Sequence, residues 1–359
     1  MKRRDFLGRS LSSLAAASTL ASGLGSIQAW AVERSSDVGG TNVVGQDKKI
    51  VVFGMDAETI REFQLVTSNV AIVPAERDRA IEQVADADAI FGTISPELFR
   101  SDKRLKWVHV YSAGVETYLF PDFINSDVTL TNCKIIQGPE IADHAFAILL
   151  TLTRGLYRAI PARTREESTP RDFHPIELRG KTAVIVGVGG IGSQIAQRAQ
   201  AFDMKVIGVD PKDIPLNPYV SKIVYPDRLD EVLPEADVVF ISAPLTPQSE
   251  GMIGTKQFEE MKPSAYFIAV SRGKLYNTEA LVKALDGGRL AGAGLDVTSP
   301  EPLPKGHALW KFENVIITPH IAWSSDQVEV RRIELIKENI SRFVKGESLV
   351  NVVDKQKGY

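Results

Sequence analysis

Three residues far apart in this chain each follow an apolar, β-branched run. Arg272 stands in Ser271-Arg272-Gly273 after the run Tyr266–Val270. Glu301 lies in Ser299-Pro300-Glu301-Pro302, after the run ending Asp296-Val297. His320 lies in Pro319-His320-Ile321-Ala322, after Val315–Thr318. An arginine grips a carboxylate through two parallel N–H bonds. A histidine exchanges a proton near neutral pH, and a carboxylate beside it stabilises the charged ring and fixes its orientation. Open parallel sheets bind ligands just beyond the C-terminal ends of their strands, so these three positions predict one cleft. The set suits a carbonyl next to a carboxylate: one group to hold the acid, and one to deliver a proton as hydride reaches carbon.

A hydride source is suggested by Gly187-Val188-Gly189-Gly190-Ile191-Gly192, a G-x-G-x-x-G pattern. The pattern alone is weak. Here a buried run, Thr182–Val186, precedes it, and Ile191, Ile195 and Ala199 follow at helical spacing. Its glycines allow a tight turn, close approach of backbone amides to a pyrophosphate, and close packing of helix on strand. The helix start offers unpaired N–H groups and a positive dipole end to phosphates. Asp210 ends the next run, Lys205–Asp210, where a carboxylate accepts from ribose hydroxyls and repels the 2′-phosphate of NADP. NAD is therefore expected, with Lys212 as the residue that speaks for NADP. A methyltransferase could use a similar turn and acidic residue, but would not need Arg272, Glu301 and His320.

Short strands alternating with helices must position these groups. Lys49–Phe53, Val70–Pro74, Ala89–Gly92 and Trp107–Val110 read as strands, with helical stretches at Ala57–Leu65 and Arg77–Ala85. Glu140–Arg158 reads as one long helix that carries the chain into a second unit. Seven further runs follow: Thr182–Val188, Lys205–Asp210, Lys222–Tyr225, Asp237–Ala243, Ala265–Val270, Gly292–Val297 and Val315–Thr318. Their continuous apolar character predicts a doubly wound parallel sheet. A last helix, about Ser325 to Lys345, is expected to return to the first unit.

A formal net charge of −3, without a long basic run in the body of the chain, argues against nucleic acid as the main partner. One cysteine, Cys133, cannot form an intramolecular disulfide, and no CxxC, HExxH or histidine cluster suggests a metal. Cys133 has no activating neighbour in sequence and reads as a small buried side chain. His109 reads as strand packing, His144 as part of the linking helix, and His174 and His307 as loop residues. The N-terminus pairs Arg3-Arg4 with Phe6-Leu7, continues through a weakly apolar stretch, and reaches Ala29-Trp30-Ala31. Residues 1–31 thus read as a twin-arginine export signal, and 32–47 as a polar linker. Export would place the chain in the periplasm; an unused signal would leave it in the cytoplasm. Nothing after the linker is long and apolar enough to anchor the chain in a membrane.

The motifs together resemble the D-isomer-specific 2-hydroxyacid dehydrogenases, the group with glycerate, phosphoglycerate, D-lactate and glyoxylate/hydroxypyruvate enzymes. The likeness runs from about Lys49 to Val353. It includes Leu178-Arg179-Gly180-Lys181-Thr182, the glycine turn, Ala243-Pro244-Leu245-Thr246-Pro247, Ser271-Arg272-Gly273, Gly294-Leu295-Asp296-Val297 and 314–322. The resemblance implies two doubly wound α/β domains, a Rossmann NAD-binding domain (147–323) inserted in a flavodoxin-like substrate domain (48–146 plus 324–359). It implies hydride transfer between NAD(H) and a small 2-hydroxy or 2-oxo acid, and a homodimer. Arg272 would bind the substrate carboxylate, His320 act as acid/base and Glu301 be its partner. Ala243, Pro244 and Asp296 would contact the cofactor, Asp296 at the nicotinamide carboxamide. Ser112, Ala113, Gly114 and Val115 would offer backbone amides to the substrate.

Three departures mark an atypical member: Ala269 where the family usually has Asn, Tyr276-Asn277 for Val-Asp, and Ile141-Ala142-Asp143-His144 for Val-Ala-Glu-His. The loop Gly92-Thr93-Ile94-Ser95-Pro96 has no arginine for a phosphate, so an unphosphorylated acid is expected. Tyr111 and Trp323 are candidates to line its pocket. A different class of protein also fits an exported chain: an NAD(H)-binding sensor or assembly protein without turnover.

Overall fold

Two parallel sheets carry the chain, and the computed structural model describes residues 48–168, 173–212 and 217–359. The export signal and linker read from the sequence lie outside the described residues. The first sheet holds β1 (Lys48–Val52), β2 (Val70–Pro74), β3 (Ala89–Phe91), β4 (Trp107–His109) and β5 (Thr129–Thr131), in the order β2-β1-β3-β4-β5. Every neighbouring pair is parallel. This is the flavodoxin-like order, in which the direction of adding successive strands to the sheet reverses between β1 and β3.

The fifth strand is an addition to the four read from sequence. Thr129-Leu130-Thr131 is too short, and too polar at two positions of three, to stand out as a buried run. It lies at the sheet edge, where later chain covers it: Val353 N–H donates to the Leu130 carbonyl at 2.8 Å. An antiparallel bridge between Thr131 and Val352 continues that cover.

The second sheet contains β6 (Thr182–Val186), β7 (Lys205–Val209), β8 (Lys222–Val224), β9 (Val238–Ile241), β10 (Tyr266–Ala269), β11 (Gly292–Leu295) and β12 (Val315–Ile317). Their order is β12-β11-β10-β9-β6-β7-β8, the doubly wound arrangement whose switch point lies between β6 and β9. All seven predicted runs are strands, each ending one or two residues early. The residues beyond those ends are loops that build the site. Val186 pairs with Ile241, which sets the loops after β6 and β9 side by side.

Both sheets are covered on both faces, which explains runs without hydrophobic alternation. Phe267 shows the packing: its ring meets Phe258 and Tyr276 edge-on at centroid distances of 5.2 and 5.3 Å. Each such pair adds about 0.5–1.5 kcal/mol beyond simple burial.

The long helix predicted over Glu140–Arg158 is two helices, Gly138–Thr153 and Leu156–Thr164. Gly155 separates them with φ +68°, a left-handed residue that ends the first helix and that periodicity alone does not register. The first helix buries Ile141, Phe146, Ile148 and Leu149 against the seven-stranded sheet. The last helix, Val328–Lys345, returns as expected: Ile336 and Ile340 pack with Ile50, Val52, Phe91 and Trp107 of the first sheet.

Candidate active site

The glycine turn sits at the switch point of the second sheet. Gly187 has φ +89°, and a Cβ there would fall 2.5 Å from backbone atoms of Ala243. The loop after β6 therefore rests directly on the loop after β9, and only glycine fits between them. Gly189 differs, because a Cβ there would meet nothing within 4 Å. Protein packing does not require that glycine; the open space beside it suits a phosphate. Gly189 is also the N-cap of the twelve-residue helix Gly190–Ala201 and supplies no side-chain cap. The first amides of this helix, Gly190, Ile191 and Gly192 among them, are thus available to an anion. Asp210 is buried at the end of β7, accepting from Val188 N–H and Lys212 N–H at 2.9 Å each. Its carboxylate braces the glycine turn while standing where an adenosine ribose is expected. These features fit a dinucleotide.

Arg272 follows β10 and reaches the loop after β4. Its Nε donates to Glu116 Oε1 at 2.6 Å, and its Nη1 donates to the Ser271 carbonyl at 2.7 Å. A Cβ on Gly114 would lie 1.9 Å from Arg272 Nη2, so the guanidinium occupies the space that glycine leaves. The loop Ser112–Val115 has its carbonyls tied inward. Cys133 N–H donates to Ser112, Asn132 Nδ2 to Ala113, and Ser112 Oγ to Gly114. The N–H groups of Ala113 and Gly114 have no acceptor among the described residues. The loop therefore offers donors beside a cation, an arrangement made for a carboxylate or carbonyl oxygen.

His320 and Glu301 meet as read from the sequence. His320 Nδ1 lies 2.6 Å from Glu301 Oε1, and Glu301 Oε2 accepts from Thr298 N–H at 3.1 Å. Both side chains remain accessible, at 37% and 41%. His320 has φ +52°, rare for a residue with a side chain, and its carbonyl accepts from the Trp323 indole at 3.0 Å.

Asp296 lies beneath this turn. Its Oδ1 accepts from Thr318 Oγ1 at 2.6 Å and from Ile321 N–H at 3.0 Å, and its Oδ2 accepts from Ala322 N–H at 3.0 Å. His144 Nε2 stands 3.4 Å from Oδ1 and 2.9 Å from Thr318 Oγ1. Burial pushes the Asp296 carboxyl up, but hydrogen bonds from His144, Thr318 and the two amides outweigh it and hold its pKa at about 2. The side chain keeps no exposed surface for the carboxamide expected there, so its visible role is to position the His320 turn.

Comparison with known proteins gives the family to which this fold belongs. The model of the D-isomer specific 2-hydroxyacid dehydrogenase NAD binding domain matches residues 146–322. A glyoxylate reductase of Korarchaeum cryptofilum is 33% identical over 295 residues, covering 79% of this chain and 87% of the relative. The chain belongs to the D-isomer specific 2-hydroxyacid dehydrogenase family. A hydroxypyruvate reductase of Blautia hydrogenotrophica is 31% identical over 290 residues, covering 78% of this dehydrogenase and 89% of the relative. Among solved structures, a glyoxylate/hydroxypyruvate reductase from Sinorhizobium meliloti superposes with a TM-score of 0.74 at 26% identity. That match covers 87% of this chain and all of the other. This dehydrogenase is an oxidoreductase with an NAD-binding domain, transferring hydride on the CH–OH group of small hydroxy acids.

Two of the three departures from the family pattern now have places in the dehydrogenase. The Tyr276 hydroxyl donates to the Val297 carbonyl at 2.9 Å, bracing the loop that carries Glu301. Asn277 caps the helix Thr278–Asp286 through Ala280 N–H. Asp143 bonds Arg198 at 2.7 Å, joining the crossing helix to the cofactor helix. Tyr111 and Trp323 serve the frame: the Tyr111 hydroxyl donates to the Phe53 carbonyl at 2.9 Å, and Trp323 holds His320. His109 is strand packing as read, fully buried with Nδ1 2.8 Å from Thr131 Oγ1. Glu116 carries no signal in the sequence, and Thr318 and His144 show there only as parts of a strand run and a helix. Each lies within a few residues of a motif but acts on one distant in the chain. Among the described residues no His/Cys/Asp/Glu group could hold a metal, and no helix is long and apolar enough to cross a membrane.

Proposed function

We propose that this dehydrogenase reduces a small, unphosphorylated 2-oxo acid of the glyoxylate or hydroxypyruvate type to its D-2-hydroxy acid, using NADH. The carrying observation is the 2.6 Å His320–Glu301 pair in one chain with a cationic Arg272 and the free amides of Ala113 and Gly114. NADH, when bound, supplies the hydride. Arg272 and the two amides hold the carboxylate. Glu301 takes Nδ1, so Nε2, with no hydrogen-bond partner among the described residues, is the ring nitrogen that gives its proton to the substrate oxygen. Asp296 keeps the His320 turn in place. Gly187, Gly189, Gly190, Ile191 and Gly192, with Ala243 and Pro244, line the dinucleotide path, and Asp210 takes the ribose hydroxyls.

Asp210 favours NAD by charge, whereas the Sinorhizobium reductase is described as NADPH-dependent and bound to NADP. The division of the chain is proposed as 147–323 for the cofactor domain and 48–146 plus 324–359 for the substrate domain, crossing along the helix Gly138–Thr153. A homodimer through the cofactor domain is supported by Leu156 and Ile160, apolar residues one helical turn apart that are 42% and 56% exposed. Export by the twin-arginine route, with the dinucleotide bound before transport, rests on the sequence of residues 1–31.

The test is nicotinamide absorbance with glyoxylate, hydroxypyruvate, pyruvate and phosphohydroxypyruvate, with NADH and NADPH, beside His320→Ala. Oxidation of NADH by the first two acids, lost in the variant, is expected. Equal turnover in His320→Ala would refute the acid/base role, and a preference for NADPH would refute the reading of Asp210.

A further inference from the structure

Arg272 already has an anionic partner. Glu116 comes from the short 3-10 turn Glu116–Tyr118 after the Ser112–Val115 loop, so the pair joins the two sheets' loops across the cleft. Both side chains are partly exposed, at 29% and 30%, so neither is sealed off from solvent or a small ligand. A Cβ on Gly114 would approach Arg272 Nη2 at 1.9 Å and Glu116 Oε2 at 2.7 Å. One cation and one anion thus flank the same glycine, beside the free amides. Among the described residues Arg272 is the one cation paired with Glu116.

We infer that Glu116 is a specificity-determining residue, a charge filter that admits 2-oxo acids with one negative group and rejects those with a second. The inference rests on Arg272 as the carboxylate clamp. Glu116 offsets the arginine's charge, and the N–H groups it leaves, with the amides, suffice for a single carboxylate. A second carboxylate or a phosphate near the clamp meets an arginine already paired and faces the Glu116 carboxylate across a partly exposed site. Hydrogen-bond donors on the substrate, such as a hydroxyl at C3, are accepted by the same oxygens.

The test is Glu116→Gln, which keeps an acceptor for Arg272 Nε and removes the charge. Values of kcat and KM are measured for glyoxylate, hydroxypyruvate, oxaloacetate and phosphohydroxypyruvate at low and high salt. The ratio of kcat/KM for the doubly anionic acids to that for glyoxylate is expected to rise at least tenfold, mainly through KM. The gain is expected to shrink at high salt. Glu116→Ala must move the ratio the same way. A purely structural Glu116 would change all four acids alike, and a ratio within twofold of the parent in both variants overturns the filter. Arg272→Ala separates the two levels: an unchanged KM for glyoxylate would remove the clamp itself.

Discussion

The backbone N–H of His320 donates to the carbonyl of Asp296 at 2.9 Å, while the carboxylate of the same aspartate collects the next two amides. One residue therefore sets both the entry and the exit of the turn that presents the imidazole. The left-handed backbone of His320 costs on the order of 1–3 kcal/mol, and these bonds hold it.

Asp296→Asn is expected to lower kcat about tenfold or more and to cost about 1–3 kcal/mol of stability. An amide has one acceptor oxygen, and its NH2 would oppose a backbone N–H. Steady-state kinetics and urea unfolding check both, and unchanged kcat would contradict the positioning role.

Glu301→Gln keeps an acceptor near Nδ1 but removes the carboxylate charge beside the ring that transfers the proton. A fall in kcat of about 10- to 100-fold is expected, with stability within about 0.5 kcal/mol because both side chains are partly exposed. A loss confined to KM would show that Glu301 serves binding instead.

Two neighbouring glycines should part company. Gly187→Ala forces a Cβ into the Ala243 backbone at a left-handed position, and a lowered Tm is expected. Gly189→Ala meets open space, so Tm is expected to hold while the Kd for NADH rises about tenfold. Thermal unfolding with and without NADH, and fluorescence titration, give the two numbers. Unaltered NADH affinity in Gly189→Ala would move the pyrophosphate elsewhere.

His109 makes the fold acid-sensitive. Burial drives its imidazole down to about 3, with Arg332 acting in the same direction, so the folded state keeps it neutral. The unfolded chain takes up that proton below about pH 6.5. Stability from this group is complete above pH 6.5 and falls by up to about 1.4 kcal/mol per pH unit as pH drops toward 3. Asp296 contributes lower, between its ordinary value near 3.8 and about 2. Urea midpoints from pH 7 to 4 should fall less steeply for His109→Asn than for the parent; equal slopes would contradict the assignment.

The sequence disclosed what is local or strand-terminal. Seven strands of the cofactor sheet, the glycine turn and the His320–Glu301 pair follow from runs and short motifs. What it hid depends on pairing across the chain. β5 exists because β4 and the segment around Val353 flank it, not because Thr-Leu-Thr is a strong strand. Glu116 looks like any surface glutamate until the loop after β10 brings Arg272 to it. Asp296 was legible as a motif residue, but its burial under the His320 turn was not, since that needs Thr318 and His144 in place.

Cys133 lies between the first sheet and the site loop, fully buried, with its Sγ 3.7 Å from His109 Nε2. Burial raises its thiol to about 11, so almost no thiolate exists at neutral pH. The chain's single sulfhydryl is thereby silent toward oxidants and disulfide exchange while the fold is closed. Any alkylating reagent that labels it is timing the opening of the domain, which gives this protein an unfolding clock of its own.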